Sequence, residues 1–151
     1  MLFKTHVVVA IFVMLLFLPN ISREFIFIPT LLISTILPDI DSAFSTLGKS
    51  KGFRPLQMFT KHRGFLHSFT FCSIVSLTLT FFFPVLALPF FLGYSVHLSL
   101  DSLTIEGIQP FWPNKKTLSW RIRTSGMTET TLFFTFTLAD AALIILFFMS
   151  Q

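Results

Sequence analysis

Charge is the scarcest property of this chain. Only 12% of its 151 residues are Asp, Glu, Lys or Arg, against roughly 25% in a soluble domain, which excludes most folds that live in water. Cysteine is scarcer still: Cys72 stands alone inside an apolar run, so neither an intramolecular disulfide framework nor a cysteine-based zinc site is available. Any bound metal must be held by His and carboxylates. No internal repeat or low-complexity tract breaks the chain, and neither polar connector is long or apolar enough to carry its own core. Residues 1–151 therefore read as a single membrane-embedded helical domain. What is abundant points the same way. AVILMFWYC make up 53% of the chain, 22 residues are Phe, and the mean hydropathy is +0.78. A domain of this length has too small an interior to hide so many rings from water, so lipid is the solvent. The net charge of +4 raises the question of nucleic acid, but in a membrane chain excess Lys and Arg first of all set orientation. No nucleic-acid partner is expected.

Crossing about 30 Å of hydrocarbon takes about 20 apolar residues in a helix. Gly64 to Phe83, Pro84 to Leu103 and Thr130 to Met149 approach that length, with Pro84 and Pro89 separating the first two at a short turn. Val7 to Leu18 and Phe25 to Leu37 are shorter, and read as short spans or a re-entrant pair joined at Pro19-Asn20. Residues 1–18 lack the small-residue cleavage pattern of a signal peptide, so the segment is expected to be retained. The fold class is thus all-α: a multi-pass bundle of about five membrane segments, the first two short. With a cytoplasmic N-terminus, ten of the eleven basic residues fall inside and only Arg23 outside, as the positive-inside rule requires. This places the chain in the inner, or cytoplasmic, membrane.

The His and Asp positions played no part in drawing that topology, yet they fall together at its cytoplasmic face. His6 starts segment one, Pro38-Asp39-Ile40-Asp41 ends segment two, His62 and His67 start segment three, and His97 and Asp101 lie toward the end of segment four. His97 and Asp101 are i and i+4, on one helix face, where both can address one ion. Asp39 and Asp41 flank Ile40 beside a proline that ends a helix. His62 and His67 are five apart, about 140° on a continuous helix, so they share a centre only if the chain bends at Arg63-Gly64 or His62 precedes the helix. The latter is expected. Imidazole and carboxylate suit Zn, Mn or Fe, and seven such groups exceed the four ligands of one zinc ion, so one or two divalent ions are expected.

Taken singly, each of these residues is as well read as a packing or helix-end residue. Taken together, ionisable groups at the end of a membrane bundle are too costly to leave unpaired, which favours a site. Arg63, between the two histidines, is the candidate for holding an anion. Lys61, Lys115 and Lys116 are explained by orientation or by attraction to anionic lipid. Asp140, near the middle of the last segment, costs about 2.5–3.5 kcal/mol on an insertion scale. It is protonated, hydrogen-bonded to a Ser or Thr, or functional.

Thr5-His6, the LPDIDS stretch from Leu37 to Ser42, the HRGFLHS stretch from His62 to Ser68, and His97-x3-Asp101-x2-Thr104-x2-Gly107 together resemble the YdjM-like family of membrane-bound, metal-dependent hydrolases, also described as LexA-regulated inner-membrane hydrolases. Pro110-Phe111-Trp112-Pro113 is similar to the family's W-P element. Arg123-Thr124-Ser125-Gly126-x2-Glu129 is similar to its T-G-S-x-x-E element, with Ser125-Gly126-Met127 departing from the usual order. The resemblance covers residues 5–129. It implies a helical membrane hydrolase, an activity assigned to the family by inference, with His6, Asp39, Asp41, His62, His67, His97 and Asp101 as metal ligands.

The leading expectation is metal-assisted hydrolysis of a phosphoester, lipid-linked or small, at the cytoplasmic membrane surface. His97 lies about 9 Å below Leu103, which sets the cluster near the level of lipid phosphates. Asp41, His67, Asp101 and Arg63 are the candidates for the chemistry: carboxylate or imidazole to receive a proton, guanidinium to clamp the anion. Two rivals come from other classes. One is a structural or regulatory membrane protein with a closed, fully coordinated ion. The other is an intramembrane metal or proton carrier, for which Asp140 would have to matter. Ligation by His also predicts that metal affinity falls as pH drops through about 6.5, where free imidazole protonates.

Overall fold

A segment that is apolar around its whole circumference belongs in a core or a bilayer, and in a bilayer each backbone amide must find its partner within a helix or a closed barrel. The computed structural model of the chain describes residues 1–41 and 64–149. Among the described residues it contains five helices and no strand beyond two isolated bridges. They are α1 (Phe3–Phe17), α2 (Glu24–Ile36), α3 (Phe69–Phe82), α4 (Pro84–Ser102) and α5 (Met127–Met149), with 3-10 turns at Leu18–Asn20 and Leu37–Asp41. The architecture is the all-α one that hydropathy predicts.

Among the described residues, three segments are long and apolar enough to cross a membrane: Phe3–Asn20, Pro84–Ser102 and Met127–Met149. This set differs from the expected one in two places. The stretch from Gly64 to Phe83 is helical only from Phe69, leaving 14 residues, or about 21 Å. The cause is Ser68, whose backbone is extended and whose hydroxyl caps the helix by accepting from the Phe71 amide at 3.1 Å, a role Ser fills well. In the other direction, α1 continues through its 3-10 turn to Asn20 and reaches 18 residues. The turn between α3 and α4 is made at Phe83-Pro84 alone, with Pro84 in the first turn of α4, where a missing amide hydrogen costs nothing. Pro89 is not part of that turn; it lies buried inside α4. The last span begins at Met127 instead of Thr130.

The site depends on one close helix crossing. Gly93 on α4 sits so near α2 that a Cβ there would collide with the Leu31 carbonyl oxygen and the Ser34 and Thr35 hydroxyls. Small residues give membrane helices this closeness of backbones. Here it is reinforced by the Ser34 hydroxyl, which donates to the Leu31 carbonyl at 2.9 Å and to the Pro89 carbonyl at 3.3 Å. On the far side of α4, Tyr94, Phe90 and Leu98 pack with Cys72 of α3 and with Ile108 from the segment after α4. The first helix runs beside the last. Glu129 of α5 accepts from the Leu2 amide and Thr5 hydroxyl at the start of α1, and further along Phe12 meets Phe136 edge-on at 5.1 Å.

Candidate metal centre

Five residues from four segments contribute to one largely buried cluster. His6 lies in the first turns of α1 with its Nδ1 3.1 Å from the Leu2 carbonyl. Asp39 sits in the 3-10 turn that follows α2. His67 lies just before α3, held by the Tyr94 hydroxyl donating to the Leu66 carbonyl at 2.6 Å and by the Ser68 hydroxyl donating to the Phe65 carbonyl, also at 2.6 Å. His97 and Asp101 stand one turn apart on α4. The His97 Nδ1 is 2.8 Å from the Thr35 carbonyl, a contact that exists because Gly93 brings α2 so near.

These side chains converge on Asp101. His6 Nε2 lies 3.3 Å from its Oδ1, and His97 Nε2 and His67 Nε2 lie 3.6 and 3.9 Å from its Oδ2. His97 Nε2 is also 3.8 Å from Asp39 Oδ1. The His6 and His97 rings stack with centroids 4.2 Å apart, and His67 meets His97 at 5.3 Å. The potential ligand atoms form two triads that share His97: His6, His97 and Asp101, and Asp39, His67 and His97, each with its atoms within 4.8 Å of one another. Asp101 Oδ1 additionally accepts from the Met1 amino nitrogen at 2.5 Å.

The cluster passes a physical test for a divalent cation. A backbone carbonyl can only accept, so the Nδ1 atoms of His6 and His97 are donors, and in the neutral ring the lone pair then lies on Nε2, facing the carboxylates. Ligating histidines are oriented in this way by an outer partner. Both Nε2 atoms are buried and, among the described residues, neither makes a hydrogen bond. Buried polar atoms without partners call for an explanation such as an ion. Two ligands each about 2.0–2.2 Å from a tetrahedral zinc lie about 3.3–3.6 Å from one another, close to the separations seen around Asp101.

Of the residues singled out in the sequence, His6, Asp39, His67, His97 and Asp101 are brought together. Asp41 closes the 3-10 turn, two residues from Asp39. His62 and Arg63, with Lys61, lie outside the described residues. Lys115 and Lys116 are exposed, in the segment between α4 and α5. Asp140 is buried in α5, with one carboxylate oxygen lacking a hydrogen-bond partner among the described residues; no Ser or Thr holds that oxygen. Glu129 has a clear place. Its Oε2 accepts from the Ser125 amide at 2.6 Å, and its Oε1 accepts from Leu2 and Thr5 at 2.5 and 3.1 Å. One buried carboxylate thus sits at the positive N-terminal ends of both α1 and α5, which fixes the turn that carries His6. Not read from the sequence are the roles of Tyr94, which stands three residues before His97 on α4, and of Thr104, named in the motif, whose hydroxyl donates to the Asp101 carbonyl at 2.7 Å.

The fold and site define a polytopic helical membrane protein with a buried histidine–aspartate cluster at one end of its bundle. The profile of the YdjM inner membrane protein family matches residues 1–150, and the chain belongs to that family. Its curated relatives include the inner membrane protein YdjM of Escherichia coli K12 and that of Shigella flexneri. Each is 34% identical over 107 residues, in a match covering 64% of this chain and 52% of the relative. The chain spans about half the length of the curated relatives it matches. No solved structure matches it.

Proposed function

We propose that the chain is a metal-dependent hydrolase acting on a phosphoester at the cytoplasmic membrane surface. The supporting observation is the convergence of three imidazole Nε2 atoms and two carboxylates, with two of the rings already oriented from behind by backbone carbonyls. His6, His97 and Asp101 would hold one ion; Asp39 and His67 lie beside the same His97 Nε2, whose single lone pair serves one ion at a time, so a second ion would rest on Asp39 and His67 without it. A divalent cation bound there supplies Lewis acidity toward a phosphoryl oxygen and makes water a nucleophile near neutral pH. Asp39, the most exposed of the five with 24% of its side chain accessible, is the group placed to exchange a proton with solvent. The cytoplasmic side is the one that places ten of eleven basic residues inside.

The complete burial of His67, with 0% of its side chain accessible, and near-complete burial of Asp101 favour a second reading, a closed structural ion. Metal content by mass spectrometry on detergent-purified protein, beside a His62→Ala, His67→Ala double variant, is the first test. About one to two equivalents of Zn, Mn or Fe in the wild type, lost in the variant, is expected. Wild type free of metal even after reconstitution would sink the proposal. Phospholipid and other phosphoester substrates then separate the two readings: hydrolysis that disappears in His67→Ala supports the enzyme, and metal without turnover supports the structural ion.

A further inference from the structure

The segment from 103 to 126 leaves α4 immediately after the cluster and enters α5, so both of its ends are tied to membrane-crossing helices. Its base is rigid. Ile108 and Leu118 exchange backbone hydrogen bonds at 3.0 and 2.8 Å, Ile105 and Ile122 pair at 3.1 Å, and the Pro110 carbonyl accepts from the Phe69 amide at 2.8 Å. Its outer part is the reverse of a buried loop. All eleven residues from 111 to 121 are exposed, and among them Phe111, Trp112, Leu118 and Trp120 are 69%, 43%, 52% and 65% accessible. The same segment carries Lys115, Lys116, Arg121 and Arg123 against a single acid, Glu106.

Large exposed rings on a loop are costly in water, whereas Trp is at home in the headgroup layer, where its ring meets lipid and its N–H meets water. The excess of positive charge selects among lipids. We infer that the 103–126 connector lies in the headgroup layer and binds anionic phospholipid, with Trp112 and Trp120 as its anchors and the four basic residues as its phosphate contacts. It gathers these lipids beside the buried cluster, because Thr104 bonds the Asp101 carbonyl and Trp112 packs on Phe65 at 4.9 Å, two residues from His67. The inference does not depend on the cluster being hydrolytic.

The two tryptophans of the chain are Trp112 and Trp120, so intrinsic tryptophan fluorescence of the intact protein reports on this connector alone. The full chain is placed in liposomes of equal parts phosphatidylcholine and phosphatidylglycerol, with the acyl-chain bromine quencher carried by one lipid or the other. Quenching is expected from both, and roughly twofold more strongly when the anionic lipid carries the bromine. High salt should erase that preference while leaving the quenching itself. Lys115→Gln, Lys116→Gln should reduce the preference without exposing the tryptophans. Equal quenching by the two lipids, or a preference untouched by salt, would overturn the anionic recognition. Water-like emission with no quenching would overturn the placement altogether and assign this face to a soluble partner.

Discussion

Asp101 and Asp140 are both buried aspartates on membrane helices, and their surroundings could hardly differ more. Asp101 stands at the end of α4, where 44% of the apolar stretch is buried, and three imidazoles approach its two oxygens. Asp140 stands in the middle of α5, where 6% of the apolar stretch is buried, and one of its oxygens meets no hydrogen-bond donor among the described residues. The difference shows that residue type and depth do not make a site in a membrane protein. Convergence of several elements does, and α5 meets the rest of the bundle chiefly through α1.

Substituting Asn at each position tests this contrast directly, because the exchange conserves volume while removing the charge and turning one acceptor oxygen into a donor. Asp101→Asn carries the largest expected effect. It removes the carboxylate common to three imidazoles, so metal affinity should fall by more than the about 10–100-fold that follows loss of an outer-shell partner. An Asp101→Asn protein that retains its metal would show that the centre lies elsewhere. Glu129→Ala is next. It deprives the Leu2 and Ser125 amides and the Thr5 hydroxyl of their acceptor, at about 1–3 kcal/mol for each donor left unsatisfied. The thermal midpoint in detergent should drop, and metal affinity with it, since His6 is carried by that turn. Glu129→Gln should recover part of both, because its amide oxygen still accepts from α1. Gly93→Ala should cost about 1–3 kcal/mol by overpacking and should weaken metal binding through the displaced Thr35 carbonyl, although Gly93 has no side chain to offer an ion. A Gly93→Ala protein with wild-type metal affinity would show that the α2–α4 crossing does not position His97.

These same residues mark how far the sequence could be read. The helical membrane class was legible because an apolar run long enough for a bilayer has few other uses, and the His and Asp cluster was legible because those residues are rare in such runs and all four His and three of the four Asp fell at one end. Where α3 begins was not, since hydropathy from Gly64 onward is continuous and only the Ser68 cap decides against helix there. Gly93, Tyr94 and the acceptor role of Glu129 were illegible for a different reason. Each acts on a partner from 28 to 127 residues away in the chain, and only the packed bundle shows what it touches.

Asp140→Asn closes the series with the smallest effect. An ionised Asp at the centre of a membrane helix costs about 2.5–3.5 kcal/mol on an insertion scale, and α5 offers it no imidazole of the kind that surrounds Asp101. Removing the ionisable group should therefore leave stability unchanged or raise it by no more than that amount, and metal content should stay at the wild-type level. The carrier reading makes the opposite demand, because a mid-membrane carboxylate is the relay it requires. In proteoliposomes it predicts that metal or proton flux falls in Asp140→Asn while equilibrium metal binding is untouched. An Asp140→Asn protein with full hydrolysis, full metal content and a midpoint at or above wild type would confine the chemistry to the α4 end. Loss of flux would instead join the two aspartates in one pathway and make the buried cluster a station along it.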